Sequence, residues 1–214
     1  VAIVAILGLI SSGRVTSIKE NPWRSFLHGM SFVASKPVII SLLVLDLGAV
    51  VLGSYRALLP MFADILGVGP SGYGFLNAAP GVGSLAGAGV LMLLGDMKYK
   101  GLYTVFGVLA YCLVLFVFAI SPWFLLSLVM ATLLGTTDSI QAIPRNAAIL
   151  AMSPNEIRGR VEAFRFMLAG GGPSIGFMLS GAVAAMIGAP LALSLGAVTC
   201  TVLVVGIALK DHRL

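Results

Sequence analysis

Six stretches of this chain, 38–60, 72–94, 102–120, 123–146, 164–187 and 190–209, are long and almost unbroken apolar runs. Each reaches the roughly 20 residues that a helix needs to cross a hydrocarbon core about 30 Å thick. In lipid every backbone N–H and C=O must find its partner within the protein, so only helices and closed barrels can span. The runs are too long and too evenly apolar for the alternating strands of about ten residues that build a barrel. The sequence therefore predicts an all-α membrane protein, a bundle of six transmembrane helices. Pro and Gly punctuate it: Pro37 and Pro60 bracket the first run, Gly69 and Pro70 precede the second, and Gly188 and Pro190 part the last two.

Charge sets the side on which each connection lies. Of the 13 Lys and Arg residues, all but Arg56 and Arg145 fall in segments that share one side of the membrane if each run spans it once. They come in groups: Arg14, Lys19, Arg24 and Lys36; Lys98 and Lys100; Arg158, Arg160 and Arg165; Lys210 and Arg213. Basic residues near helix ends are retained on the cytoplasmic face. The pattern predicts a multi-pass protein of the cytoplasmic (inner) membrane with its C-terminus inside and short outer connections that carry only Asp64. Composition excludes the soluble alternative, since 59% hydrophobic and 10% charged residues depart far from the roughly 45–50% and 25% of a soluble domain. The net charge of +5 belongs to loops facing anionic lipid, and no basic stripe with interleaved aromatics is left over for nucleic acid.

Four parts follow in order: 1–10, read as the end of a preceding transmembrane helix; 11–37, a cytoplasmic connector; 38–209, the bundle; and 210–214, a cytoplasmic tail. In the connector, Asn21-Pro22 reads as a helix start, and Trp23, Phe26, Leu27 and Met30 recur at the spacing of an interfacial amphipathic helix. His28, on its polar side, reads as a solvated side chain. Cys112 and Cys200 sit in the middle of apolar runs and read as small buried side chains rather than a disulfide or a metal site.

An internal repeat is faintly legible between the second and fifth runs, the alternative being two small-residue packing faces that happen to share a Pro. Aligning Pro80 with Pro173 sets Ala79 against Gly172 and Gly83 against Gly176. By the charge topology these two runs cross in opposite directions, as a 3+3 inverted repeat requires. Gly83 with Gly87, and Gly172 with Gly176 and Ser180, also have the small-xxx-small spacing that lets helix backbones approach closely. Gly170 to Gly172 with Pro173 could also form a bend beside a cavity. The third and sixth runs, free of internal charge, read as peripheral, lipid-facing helices.

Charges inside the runs carry what chemistry there is. Asp46 and Asp138 each sit deep in an apolar run, where a carboxylate costs about 2.5–3.5 kcal/mol. Each must face a cavity, find a partner or stay protonated, and a purely structural role is the alternative for both. Arg56 stands ten residues after Asp46, about 80° and 15 Å away on a helix, so the two cannot pair within it. The simpler expectation for Arg56 is snorkelling to the outer surface. Arg145 falls about 20° from the face of Asp138 and two turns on, with Gln141 between them, so the three can line one wall. Arg145 could equally anchor the cytoplasmic end of its helix. No metal cluster, nucleophile with base or nucleotide fingerprint accompanies these groups, so neither an enzyme nor a cofactor is expected.

Pro144-Arg145-Asn146 followed by Ser153-Pro154-Asn155-Glu156-Ile157-Arg158-Gly159-Arg160-Val161-Glu162-Ala163 resembles the loop between the tenth and eleventh helices of the major facilitator superfamily. Leu45-Asp46, the stretch Arg56 to Ala63, and Gly95-Asp96 with Lys98, Lys100 and Gly101 extend the likeness, the last group as a shortened form of the family's acidic-basic loop motif. The branch it is most similar to contains enterobactin exporters and macrolide-type efflux proteins. Gly172-Pro173-x-x-Gly176 is similar to an antiporter motif, although in the family that motif lies in the fifth helix and not the eleventh. The resemblance implies the C-terminal half of a twelve-helix fold and a missing N-terminal six-helix half as partner. It also implies alternating access with export of a small-molecule substrate, driven by protons. Asp46, Asp138, Gln141, Arg145 and Arg56 would line the substrate or proton pathway, and Asp96, Lys98, Lys100, Arg158 and Arg160 would form the cytoplasmic gate. A membrane-embedded accessory subunit without transport of its own, or a self-dimerising half-transporter, is the alternative reading.

Overall fold

The computed structural model describes residues 30–31, 34–95, 100–155 and 157–210. The opening segment, most of the amphipathic connector, Asp96, Lys98 and the tail from 211 lie outside these residues. The described chain is helical throughout: α1 (Pro37–Leu52), a 3-10 turn (Tyr55–Leu58), α2 (Leu59–Ile65), α3 (Gly69–Leu94), α4 (Lys100–Ala119), α5 (Phe124–Met152), α6 (Arg158–Ile187) and α7 (Ala189–Lys210). Five spans are long and apolar enough to cross a membrane, with α1 and α2 counting as one. A sixth, shorter apolar stretch, Tyr103–Ala119, lies in α4. This is the helical membrane bundle that the apolar runs predict.

The first span departs from expectation, because the run 38–60 is not one helix. α1 ends at Leu52, Gly53 closes it, and the chain passes through Ser54 and the 3-10 turn before α2 begins. Pro60 supplies the physical reason. In a continuous helix its ring would meet the carbonyl of Arg56 and it has no N–H to offer, whereas the first turn of a new helix tolerates both. The proline read as the end of the span is the start of α2. Two more spans run past their expected limits: α5 continues to Met152 and α6 begins at Arg158. Gly67 and Gly188, with φ of 63° and 87°, turn the chain between spans in a conformation that side chains disfavour.

Packing follows a two-fold scheme. α3 packs on α5 and α6 on α1; α4 packs on α5 and α7 on α1; α4 and α7 pack on each other. Exchanging the first three spans for the last three leaves these pairings unchanged. The contact residues repeat the scheme. A side chain on Gly83 would run into the Thr132 carbonyl of α5, and one on Gly176 into the Ser54 hydroxyl of the first span. The Thr136 hydroxyl donates to the Thr132 carbonyl at 3.1 Å, and the Ser54 hydroxyl to the Val50 carbonyl at 2.6 Å. The shift in numbering that carries Val50 onto Thr132 and Ser54 onto Thr136 also carries Gly53 onto Gly135 and Arg56 onto Asp138.

Apolar clusters occupy both ends of the bundle, and a third lies among α1, α4 and α7. Tyr55, Leu58, Phe62, Leu76, Leu115, Phe118, Leu134 and Leu193 form one buried cluster at the end that carries Asp64. Its aromatic centre sets Phe62 and Phe118 4.9 Å apart. Ile39, Leu42, Leu43, Ile149 and Val161 form another at the end that carries Lys36 and Arg158. Cys112 and Cys200 are free thiols buried between α4 and α7 in a third cluster, with Leu45, Val108 and Val204.

Candidate functional site

Between the two end clusters a chain of polar side chains crosses from the first span to the fourth. A guanidinium nitrogen of Arg145 meets a carboxylate oxygen of Asp46 at 2.8 Å. A second nitrogen of Arg145 donates to the Gln141 amide oxygen at 3.1 Å, and the Gln141 amide nitrogen donates to the Asp138 carboxylate at 3.2 Å. The Asp46–Arg145 link joins α1 to α5, and Asp138, Gln141 and Arg145 lie on α5 at i, i+3 and i+7 along one face. Arg145 and Gln141 are buried, Asp46 is half-buried and Asp138 is exposed. Gly107 on α4 makes the burial of Gln141 possible: a Cβ there would stand 2.8 Å from the Gln141 Cβ. The Nε of Arg145 is buried without a protein partner among the described residues.

Two cavities flank this chain. One, of about 270 Å³, lies at the break in the first span and is lined by Gly53, Ser54, Tyr55, Arg56, Tyr111 and Asp138, with Pro173 and Phe177 across from them. The other, of about 220 Å³, lies toward the Lys36 end and is lined by Asp46, Asp138, Arg145, Asn146 and Arg165 among apolar neighbours. Val50 and Asp138 border both. At the break the Gly53 carbonyl accepts from the Tyr55 N–H at 2.7 Å and from the buried Tyr111 hydroxyl of α4 at 3.1 Å. Arg165 is tied down at the mouth of the second cavity, donating to Glu162 at 2.8 Å and to Asn146 at 3.2 Å while lying over the Phe166 ring. Ionisable groups within apolar helices are costly unless they are paired or face a cavity, and these are both.

The family model described as transmembrane secretion effector, within the major facilitator superfamily, matches residues 3–214. The chain belongs to that family. Among curated proteins this chain is similar to the enterobactin exporter EntS of Escherichia coli O1:K1 / APEC, of Escherichia coli O157:H7 (strain EC4115 / EHEC) and of Shigella boydii serotype 18 (strain CDC 3083-94 / BS512). In each case the match is 25% identical over 168 residues, 78% of this chain and 40% of the relative. The chain thus spans less than half the length of the curated relatives it matches. No solved structure matches it.

Most residues singled out from the sequence have a definite place among the described residues. Asp46, Arg145, Gln141 and Asp138 come together in one hydrogen-bonded chain. Arg56 is exposed and stands on the wall of the larger cavity that Asp138 also lines. Arg158 and Arg160 open α6, the first exposed and the second half-buried, away from the polar chain. Lys100 begins α4, and Asp96 and Lys98 lie outside the described residues. Gly83 and Gly87 face Thr132 and Thr136, and Gly172 and Gly176 face Leu47, Val50 and Ser54. Pro173 lines the larger cavity. Sequence reasoning missed Tyr55, Tyr111, Gly107, Asn146 and Arg165 as parts of the site. Only Arg165 carried a signal, as the member of its basic group that falls inside an apolar run.

Proposed function

We propose that these six spans form one wall of the substrate pathway in a secondary exporter. It works by alternating access against a second six-helix bundle, moving a small molecule out of the cytoplasm in exchange for protons. The polar chain Asp46–Arg145–Gln141–Asp138, bordered by two cavities within apolar helices, carries this reading. An ionisable array of this kind persists in lipid only where charge is paired or facing water, and both conditions suit a path for ions and polar solutes. The unpartnered Arg145 Nε leaves one donor for a water or a substrate oxygen. Relatives named as enterobactin exporters support outward transport of a siderophore, drug or metabolite. The basic groups support a cytoplasmic C-terminus in the inner membrane, with Arg158, Arg160, Lys98, Lys100 and Asp96 at the inner gate.

Everted membrane vesicles test the reading. Vesicles containing this chain joined to the N-terminal six helices of an enterobactin exporter should accumulate a labelled catecholate siderophore or macrolide when acidified inside. Vesicles containing the chain alone should not. Accumulation by the unassociated chain would remove the second bundle from the proposal, and accumulation indifferent to the pH gradient would remove the proton.

A further inference from the structure

We infer that Asp138, and not Asp46, is the carboxyl group that takes up and releases the transported proton. The assignment rests on the proton-coupled reading above and adds to it the residue that does the coupling.

The two carboxylates differ in what holds their charge. Asp46 has a guanidinium at 2.8 Å, and that arginine is itself buried. Protonating Asp46 would strand a buried cation that cannot discharge itself, so the pair keeps its charges together. Asp138 has no such partner. Asp138 belongs to neither the Arg145–Asp46 nor the Arg165–Glu162 ion pair. Among the described residues the side chain that donates to it is the neutral Gln141 amide at 3.2 Å, a bond that either protonation state of the carboxyl can make.

Position completes the argument. Asp138 is the one ionisable residue that borders both cavities, so a proton on it can be exchanged with either. Asp46 borders only the cavity toward Lys36. The charged and titratable groups that face Asp138 come from three directions. They are Asp46, Tyr55 and Arg56 on the first span, Tyr111 on α4, and Arg145 and Arg165 toward the second cavity. Arg56 stands at the repeat-equivalent position on the wall of the larger cavity. The uptake is a simple acid–base step: the carboxylate gains a proton from one cavity and returns it to the other, with no other bond made or broken.

Dicyclohexylcarbodiimide separates the two residues without a transport assay. It is apolar, partitions into membranes, and adds across a protonated carboxyl to give a stable acylurea. Membranes containing this chain should yield that adduct on the peptide bearing Asp138 and not on the peptide bearing Asp46, and the yield should fall as pH rises. Asp138→Asn should abolish the adduct and Asp138→Glu should restore it. An adduct on Asp46, or on neither residue, overturns the assignment. In the two-bundle protein, Asp138→Asn should lose accumulation driven by a pH gradient while retaining downhill exchange. Gradient-driven accumulation that survives in Asp138→Asn overturns the assignment alone, whereas its absence in the unmodified protein overturns proton coupling itself.

Discussion

Asp46→Asn should destabilise the bundle more than Arg145→Gln, although each variant removes one end of the same ion pair. Removing one partner of a buried pair costs about 3–5 kcal/mol because the other charge is left uncompensated. The side chain of Arg145 is only 5% exposed, and a guanidinium cannot shed its proton to escape. With Asp46 gone, it keeps its bond to Gln141 and a more distant carboxylate in Asp138, so a loss of about 3 kcal/mol is expected. The Asp46 side chain is 17% exposed and borders a cavity, so in Arg145→Gln it can take up a proton and leave only a poorly satisfied carboxyl. That costs about 1–3 kcal/mol. The double variant leaves two amides that can bond each other, and the coupling energy should fall at about 2–3 kcal/mol, in the upper part of the range for residues in contact. Reversible unfolding in mixed lipid and detergent micelles, followed by circular dichroism at neutral pH, measures all four proteins. Additive single costs, or a larger cost for Arg145→Gln, would refute the reasoning.

Gly83→Leu and Gly176→Leu should each cost about 1–3 kcal/mol or more by forcing α3 from α5 and α6 from α1. Gly74→Ala and Gly81→Ala, where a Cβ meets nothing within 4 Å, should gain up to about 1 kcal/mol of helix propensity in the same unfolding assay. Tyr111→Phe should cost about 1 kcal/mol, because it leaves the Gly53 carbonyl at the helix break without its side-chain donor. In a background with Cys112 and Cys200 replaced by Ala, a cysteine at Asn155 should resist a membrane-impermeant maleimide added to whole cells and one at Gly67 should react. The reverse pattern would invert the topology.

Local features of this fold were legible because they depend on neighbours in sequence. The length of each apolar run fixed where helices could be, and Pro37, Pro70 and Pro190 marked starts that the helices respect within a few residues. Pro60 shows the limit of the same logic, since a proline near the end of a run terminates one helix or initiates another depending on whether the preceding residues keep an α-helical path. The pairing of Asp46 with Arg145 was not legible at all. Sequence spacing shows what cannot pair along one helix, but which helix approaches which is decided by packing, here by Gly83, Gly107 and Gly176. Small-residue spacing names candidate positions of close approach without naming the helix each one faces. Tyr111 carried no signal, because an aromatic in an apolar run reads as core until the Gly53 carbonyl is found beside its hydroxyl.

The cross-span pair between Asp46 and Arg145 also sets an order of events during synthesis. About a hundred residues separate the two in sequence, and at roughly 5–20 residues per second the ribosome needs about 5–20 s to deliver the second after the first. During that interval the first span must enter the bilayer, or wait beside the insertion channel, with a carboxylate that has no guanidinium to meet. A nascent chain arrested before α5 emerges carries that unpaired group, whereas a chain arrested after Met152 can neutralise it. Biogenesis of the bundle thus turns on a handover in time as well as a contact in space. The fourth span, arriving late, commits the first to the membrane.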